Sequence, residues 1–504
     1  MKGHPVRPTL LLLTCLICTS SLAQSQLKSQ PDGLETLLRT EMQNRQIPGM
    51  QIAVIQHSRV VFRGAYGYSD VEHSVKVTNQ TVFSIASITK AFTGVAIMQL
   101  VEEDRLSLGA PVSRYLSGLP MAWRAVTLQQ LLTHVSGIPD IVNQKKGHIV
   151  ADGSPESFIS EANNLPLEFA PGEKFSYNQT NYLLLQKVIE KVSRKSYIDF
   201  VTEGQLDVAN MRHTYFGGFS DIVYDRAQPY ALQSIGPRKD ELRNIFYESV
   251  PSLVAGNGIN SSASQIASWI IALQNKRLLK ANASLTTMWT PGALNDGSHS
   301  GFGGPLNGYA LGWPVVTRPT HRAVAPIGGN WAALFIYPDD DLSIVILTNL
   351  QGSNPEKFVD EVAGYYVPDV RNAVGFGIPR ALKIVQADVM QQGFDHVLDV
   401  VDDPKNKEVK SQLREEDVNA WGYRLIGEGR QKEALEIFKL NVHLFPQSAN
   451  VYDSLADAYD GLGNRDLSLR NYRRSLELNP HNSNAAEHIK ALESDRGKSD
   501  IQPK

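Results

Sequence analysis

A hydroxyl and an amine three residues apart share one face of a helix, and Ser87-Ile88-Thr89-Lys90 offers that pair. A serine oxygen is a weak nucleophile until a neighbouring base takes its proton. It also needs N–H donors for the oxyanion that develops during attack. Lysine can be that base once burial disfavours its charged form. The chemistry on offer is acyl transfer through a covalent serine ester. The common alternative for serine, Gly-x-Ser-x-Gly, does not occur in the chain. A second Ser-x-x-Lys, Ser25 to Lys28, lies in a polar stretch. Ser87 instead follows the apolar Val82-Phe83 and opens the run 91–101, whose wide apolar face predicts a buried helix. At a helix N-terminus the backbone N–H groups and the dipole favour negative charge. Spacing and position alone fit equally a capping serine beside a solvated lysine.

These side chains need a framework. The β-rich runs 51–55 and 60–63 predict one hairpin, and 332–337 and 342–348 predict another across Pro338-Asp339-Asp340-Asp341. The three aspartates lack the glutamate and spacing of a calcium loop and read as the turn. Between the hairpins lie helical patterns such as 91–102 and 181–192. Strands at both ends with helices between predict an α+β fold, an α-β sandwich. Its antiparallel sheet is assembled from distant segments and flanked by helices, with an all-helical subdomain inserted.

The chain has 504 residues, a formal charge of −3, 42 % hydrophobic and 20 % charged residues, which is globular and long enough for two or three domains. That balance offers no global attraction to nucleic acid or anionic membrane. Two cysteines leave little for a Cys-based zinc site, and neither metal nor cofactor is expected. Lys2 and Arg7, an apolar run over 10–18 and Ser21-Leu22-Ala23 have the order of a secretory signal peptide at 1–23. An uncleaved N-terminal anchor is the alternative. Cys15 and Cys18 both fall inside that segment, so a chain cut after Ala23 would rely on no disulfide. No later segment reaches the roughly 18 apolar residues of a membrane span. A periplasmic or secreted protein is expected.

The C-terminal part repeats. Gly429 recurs as Gly463, Ala434 as Ser468, Leu435 as Leu469, Phe438 as Tyr472 and Pro446 as Pro480, each 34 residues on. Small residues at close-packing positions, a large apolar residue facing them and a terminating proline suit a helix–turn–helix unit. The segments 418–445 and 451–478 look like two tetratricopeptide repeats, expected to lean on the helical stretch 380–413, with 484–492 as a capping helix. The expected organisation is a signal peptide at 1–23, a hydrolase unit at 31–370, a helical linker at 371–413 and a repeat unit at 414–495. The repeats suggest a protein partner through 414–495, beside a small-molecule substrate for the hydrolase unit.

The string Phe83-Ser84-Ile85-Ala86-Ser87-Ile88-Thr89-Lys90-Ala91-Phe92-Thr93 resembles the nucleophile region of the penicillin-recognising serine hydrolases. Within them it is most similar to the class C β-lactamase-like group of esterases, DD-peptidases and D-aminopeptidases. Ile47-Pro48-Gly49, Leu131-Leu132-Thr133-His134-Val135-Ser136-Gly137-Ile138-Pro139, Pro171-Gly172-Glu173-Lys174-Phe175-Ser176-Tyr177, Tyr309-Ala310-Leu311-Gly312-Trp313 and Leu347-Thr348-Asn349 continue the likeness over about 31–365. The resemblance implies a β-lactamase/transpeptidase-like fold with Ser87 as acylated nucleophile and Lys90 as its proton partner. Tyr177 would be base in acylation and acid toward the leaving group, its phenol lowered by an adjacent cation and its proton shared with Lys90.

Gln179 stands where the group's Tyr-x-Asn motif has asparagine, and remains an amide able to orient substrate or lysine. Gly328 and Gly329 fall on the strand that carries Lys-Thr-Gly or His-x-Gly, where the Gly329 N–H would complete an oxyanion hole with that of Ser87. Pro326 places no cation there. That disfavours substrates held by a carboxylate, unless His321 or Arg322, read otherwise as loop residues, replaces it. His134 tempts as a triad member but reads as a hydrogen-bonded core histidine. Three functions compete: an exported hydrolase of small esters or D-amino-acid peptides, a DD-carboxypeptidase or β-lactamase, and a non-catalytic scaffold binding a partner through its repeats.

Overall fold

The computed structural model describes residues 31, 33–140, 142–143, 148–149, 165–218, 220–235, 238–245, 253–303, 305–373, 379–427 and 430–499. The expected signal peptide at 1–23, the Ser25–Lys28 pair and Gly429 lie outside these residues.

Alternation builds the sheet. In β1 (Gly49–Gln56) Met50, Ile52 and Val54 point to one face and Ala53 and Ile55 to the other, and both faces are covered. β1 turns through His57-Ser58, each at φ 52°, into β2 (Arg59–Asp70), a two-residue turn whose twist suits a hairpin. β3 (Val75–Lys76) follows, then β4 (Gly308–Tyr309), β5 (Pro314–Val316), β6 (Ala323–Val324), β7 (Ile327–Gly328), β8 (Ala332–Tyr337) and β9 (Leu342–Thr348). The order across the sheet is β4-β5-β6-β8-β9-β1-β2-β3, with β7 paired to β8. β9 lies antiparallel to β1 with Ile346 opposite Ile52, so segments from the two ends of the unit meet at its centre. Both expected hairpins are present. Asp339-Asp340-Asp341 turns the second one, where Asp341 Oδ2 lies 2.7 Å from His57 Nδ1.

The helices of this unit include α1 (Leu34–Asn44), α2 (Thr89–Glu102), α3 (Leu128–Leu132), α4 (Gln179–Ser193), α5 (Val254–Asn257), α6 (Ala263–Gln274) and α7 (Val359–Ala363), and Tyr197–Val201 and Asn282–Trp289 are helical as well. Leu34 and Leu38 of α1 and Val359 and Val362 of α7 cover one face of the sheet. On the other, α2 and α6 cover Ala53, Ile55, Leu334, Val345 and Leu347. α2 is buried nearly all round, which explains its apolar sequence. Phe92 of α2 stacks on Trp269 of α6 at 3.9 Å between ring centroids, and Trp269 on Trp313 at 5.8 Å. α3, α4 and α5 belong to a largely helical region between β3 and β4 that packs on α2. The fold is β-lactamase/transpeptidase-like, as the sequence suggests.

Further along come α8 (Arg380–Gln392), α9 (Val397–Asp402), α10 (Lys407–Ser411), α11 (Glu415–Gly427), α12 (Gln431–Leu444), α13 (Ala449–Gly461), α14 (Arg465–Leu478) and α15 (Ser483–Ser499). α11 packs on α12 and α13 on α14, with Ala434, Phe438, Ser468 and Tyr472 buried. Val385 and Val389 of α8 and Val400 of α9 share one core with Trp421, Ile437 and Phe438.

Candidate active site

Ser87 sits in a single 3-10 turn, Ala86–Ile88, that leads into α2. Ahead of it, Phe83 and Ser84 pair with Ser261 and Asn260, and the Ile85 N–H donates to the Ile259 carbonyl at 3.1 Å. The indole N–H of Trp331 donates to the Ser84 carbonyl at 2.9 Å. Ala86 holds a left-handed φ of 42°, uncommon for a residue with a Cβ. Such strain next to a reactive group persists only where the surroundings impose it, and here strands and an indole do so.

One turn into α2, Lys90 is 1 % exposed. Its Nζ donates to the Gly256 carbonyl at 2.9 Å, to Gln179 Oε1 at 3.0 Å and, at 3.4 Å, to Ser87 Oγ. The Tyr177 and Tyr182 rings pack beside the amine, with centroids 4.9 and 5.1 Å away. Burial pulls Lys90 down to about 7, against a smaller raising effect from Asp140. Near neutral pH a large fraction of this amine is therefore uncharged. The solvated-lysine alternative does not describe this residue.

Tyr177 ends an extended stretch just before α4. Asn178 caps that helix by accepting the Asn181 N–H at 3.2 Å. The segment 134–140 cradles the cap: Asn178 Nδ2 donates to the Ile138 carbonyl at 2.5 Å, and Thr180 Oγ1 to the Pro139 carbonyl at 2.8 Å. The Tyr177 hydroxyl donates to Ser87 Oγ at 2.9 Å. An amine and a phenol from two distant segments thus converge on one serine oxygen. Burial pushes the Tyr177 phenol up, not down. That direction is opposite to the lowering expected from an adjacent cation.

His134 is fully buried, and its Nδ1 accepts the Asn178 N–H at 3.1 Å. Its ring lies 4.4 Å from that of Tyr177. Burial, then the Lys90 charge, hold it well below the ordinary histidine range, so it is neutral. It supports Tyr177 from behind, in keeping with a core histidine.

Gln179 meets Lys90 through its side chain, while its backbone N–H donates to Asp140 Oδ1 at 2.9 Å. β7 runs alongside the Ser87 turn. A Cβ built on Gly328 would stand 2.1 Å from the Ile85 carbonyl oxygen, so only glycine allows this approach. Gly328→Ala is expected to push β7 off the turn. Overpacking of this kind costs about 1–3 kcal/mol, and a shift of about 1 Å at the reacting centre costs on the order of 100-fold in rate. Paired thermal melts and kcat/KM values check both; an unchanged rate would mean that β7 does not border the reacting atoms.

His321 and Arg322 are not in this site. Arg322 Nε bonds Asp339 Oδ2 at 3.0 Å and His321 Nδ1 lies 2.8 Å from Asp340 Oδ1, both at the β8–β9 turn. The sheet register puts Val324 opposite Ile336 but Gly328 opposite Ala332. Four residues of strand, about 13 Å, separate the two levels. Pro326, just ahead of β7, is buried and brings no charge to the strand.

Two contributors escape a reading of the sequence. The Gly256 carbonyl is a principal partner of Lys90, and a Cβ there would lie 2.9 Å from Gln179 Oε1 and 3.4 Å from Lys90 Nζ. Asp140 holds the Gln179 backbone and biases Lys90 electrostatically. The one available signal was a pair of closely spaced glycines, Gly256 and Gly258, shortly before the Ser262-capped helix α6.

A sequence model of the family described as Beta-lactamase matches residues 34–365. Protein flp of Staphylococcus aureus (strain MRSA252) is 27% identical over 343 residues, 65% of each chain. The chain thus spans about 65% of the length of that relative. Penicillin-binding protein 4* of Bacillus subtilis (strain 168) is 26% identical over 340 residues, 63% of this chain and 71% of the relative. Among solved structures, the octameric penicillin-binding protein homologue from Pyrococcus abyssi superposes with a TM-score of 0.59 at 26% identity, covering 70% of this chain and 80% of that one. The D-amino acid amidase from Ochrobactrum anthropi SV3 shares the fold, with a TM-score of 0.56 at 18% identity over 68% of this chain and 99% of that one.

Proposed function

This chain belongs to the Beta-lactamase family, and from that membership we propose a serine hydrolase that transfers the acyl group of an uncharged ester or amide to Ser87 and then to water. The observation that carries this reading is one oxygen, Ser87 Oγ, meeting the Tyr177 hydroxyl at 2.9 Å and the Lys90 amine at 3.4 Å. Ser87 Oγ attacks the carbonyl carbon as its proton passes to Lys90 Nζ. The leaving oxygen or nitrogen departs with the phenolic proton of Tyr177, and the Lys90 ammonium returns a proton to the Tyr177 oxygen. Water then attacks the acyl-enzyme, and its proton returns to Ser87 by the same groups. The N–H groups of Ser87 and Gly329 receive the oxyanion. Gln179 orients Lys90.

Substrate choice follows from charge. With Pro326 just ahead of β7 and Arg322 held by Asp339 at the far turn, a substrate carboxylate finds no cation there. Small esters and D-amino-acid amides rank above β-lactams. The second reading, a DD-carboxypeptidase or β-lactamase, is favoured by the penicillin-binding protein among the relatives. The intact Ser87, Lys90 and Tyr177 cluster speaks against a purely non-catalytic scaffold.

A fluorophosphonate probe is expected to leave its adduct on Ser87, located by peptide mass spectrometry, and a panel of esters, D-amino-acid amides and penicillins then ranks the substrates. An adduct elsewhere, or none, overturns the mechanism. The acid limb of the kcat/KM profile is expected near pH 7, where Lys90 loses its proton. Asp140 raises Lys90, so Asp140→Asn, which keeps an acceptor for the Gln179 N–H, is expected to move that limb to lower pH. A limb that moves up or stays in place would separate Asp140 from the lysine.

The finer parts of the organisation are proposals too. The pairs α11–α12 and α13–α14 read as two tetratricopeptide-like repeats, supported by the matched positions Ala434/Ser468 and Phe438/Tyr472, all buried. They would engage a protein partner through 414–495. Export through the segment 1–23 is supported by its residue order; among the described residues no helix is long and apolar enough to cross a membrane.

A further inference from the structure

An aromatic cluster runs from the core to the surface beside the reacting oxygen. His134 and Tyr309 are its buried end, with ring centroids 4.8 Å apart. Phe175 and Tyr177 form the middle, and Phe302 is the outer end, 49 % exposed. The Phe302 ring lies 5.0 Å from that of Tyr177, 5.5 Å from Phe175 and 6.0 Å from Tyr309. Scattered exposed apolar side chains need no explanation. An exposed ring laid against the phenol that contacts the Ser87 oxygen is different, because it sets apolar surface close to the reacting atoms. Aromatic surface of this size, left in water in the free protein, gains most from an apolar partner that takes its place against the ring edge or face. The chain beside the Ser87 turn agrees, since Pro326, just ahead of β7, brings no charge there.

We propose that Phe302, with Phe175 beside it and the buried Tyr309 behind them, forms a leaving-group subsite that takes an apolar alkyl or aryl alcohol or amine portion of the substrate. The assignment to the leaving group follows from Tyr177, whose proton goes to the departing atom and whose ring Phe302 touches. It rests on the acyl-transfer reading above and narrows it from uncharged esters and amides to those with an apolar leaving group. Phe302 is then a specificity-determining residue.

The test uses the full chain and acetate esters of methanol, butanol and benzyl alcohol, a series that shares one acyl group and varies the alcohol. The wild type is expected to favour benzyl over methyl acetate in kcat/KM. Phe302→Ala is expected to cut that benzyl-over-methyl preference about ten-fold, the usual scale for apolar pocket contacts. Phe302→Leu, which keeps apolar surface, should lie between the two. An unchanged preference in Phe302→Ala overturns the subsite, as does a uniform loss across the three esters accompanied by a lower Tm. If Ser87 takes the fluorophosphonate while the preference stays flat, the subsite alone falls. If Ser87 takes no adduct and no ester turns over, the acyl-transfer reading fails and the subsite with it.

Discussion

Ser87→Ala is expected to abolish fluorophosphonate labelling and to lower kcat/KM on any ester or amide substrate by on the order of 10⁴ or more. The size follows from what remains. Without Oγ, neither Lys90 nor Tyr177 has an oxygen to activate, and a water in the vacated space has no covalent attachment to the enzyme. The oxyanion donors alone leave a modest residual rate. The substitution removes one partly exposed atom, so the fold should survive, and a melting curve close to that of wild type separates lost chemistry from lost structure. Turnover that persists at a tenth of wild type would place the nucleophile elsewhere. It would sink the mechanism even with Tyr177 and Lys90 in the observed positions.

The second large effect is at Lys90. Lys90→Met keeps the length and apolar stem and removes the amine, and with it the acceptor for the serine proton. Loss of a positioned proton acceptor lowers rates by roughly 10²–10⁴-fold. The same change has a thermodynamic signature. A lysine held near 7 in the folded chain and near 10.5 in the unfolded one is bound to fewer protons when folded between those values. Stability therefore rises with pH across that window, by up to about 1.4 kcal/mol per pH unit from this group alone. Below about pH 7 the amine is protonated in both states, and the penalty of burying the charge is fully present. Urea unfolding of wild type and Lys90→Met from pH 7 to 9.5 is expected to show a steeper rise for wild type. Equal slopes would mean that Lys90 keeps its proton in the folded chain and is not the base.

Parts of this architecture are legible because they repeat with a period. The hairpins around His57-Ser58 and Asp339-Asp340-Asp341 announce themselves by apolar runs and turn residues. The helix carrying Lys90 shows in its uninterrupted apolar length. Ser87 and Lys90 stand three apart, so local geometry alone relates them. Tyr177 is another matter: about ninety positions downstream, in a stretch with no period, it emerges only through likeness to a family. The Gly256 carbonyl has no side chain to signal it, and Asp140 and Phe302 sit in connecting segments whose positions depend on what packs beneath them. Arg322 shows the opposite failure. It is near Pro326 in the chain, yet a carboxylate on the next hairpin claims it. The direction of the Tyr177 shift was likewise invisible, because it depends on how much water the surrounding rings exclude.

The central strand pair joins Met50 to Thr348, with nearly three hundred residues closed between them. Such a fold has a high contact order: its decisive pairing waits on a long loop closure and is slow compared with helix formation. The turn bearing Ser87 and the strand bearing Gly328 belong to opposite arms of that loop and come together only when it closes. Enzymatic activity in a refolding experiment should consequently be among the last signals to return, lagging the recovery of helical circular dichroism. A fragment ending before residue 323, lacking β6 through β9, would possess every side chain of the proton relay but not the central strands that join the two ends of the sheet around it.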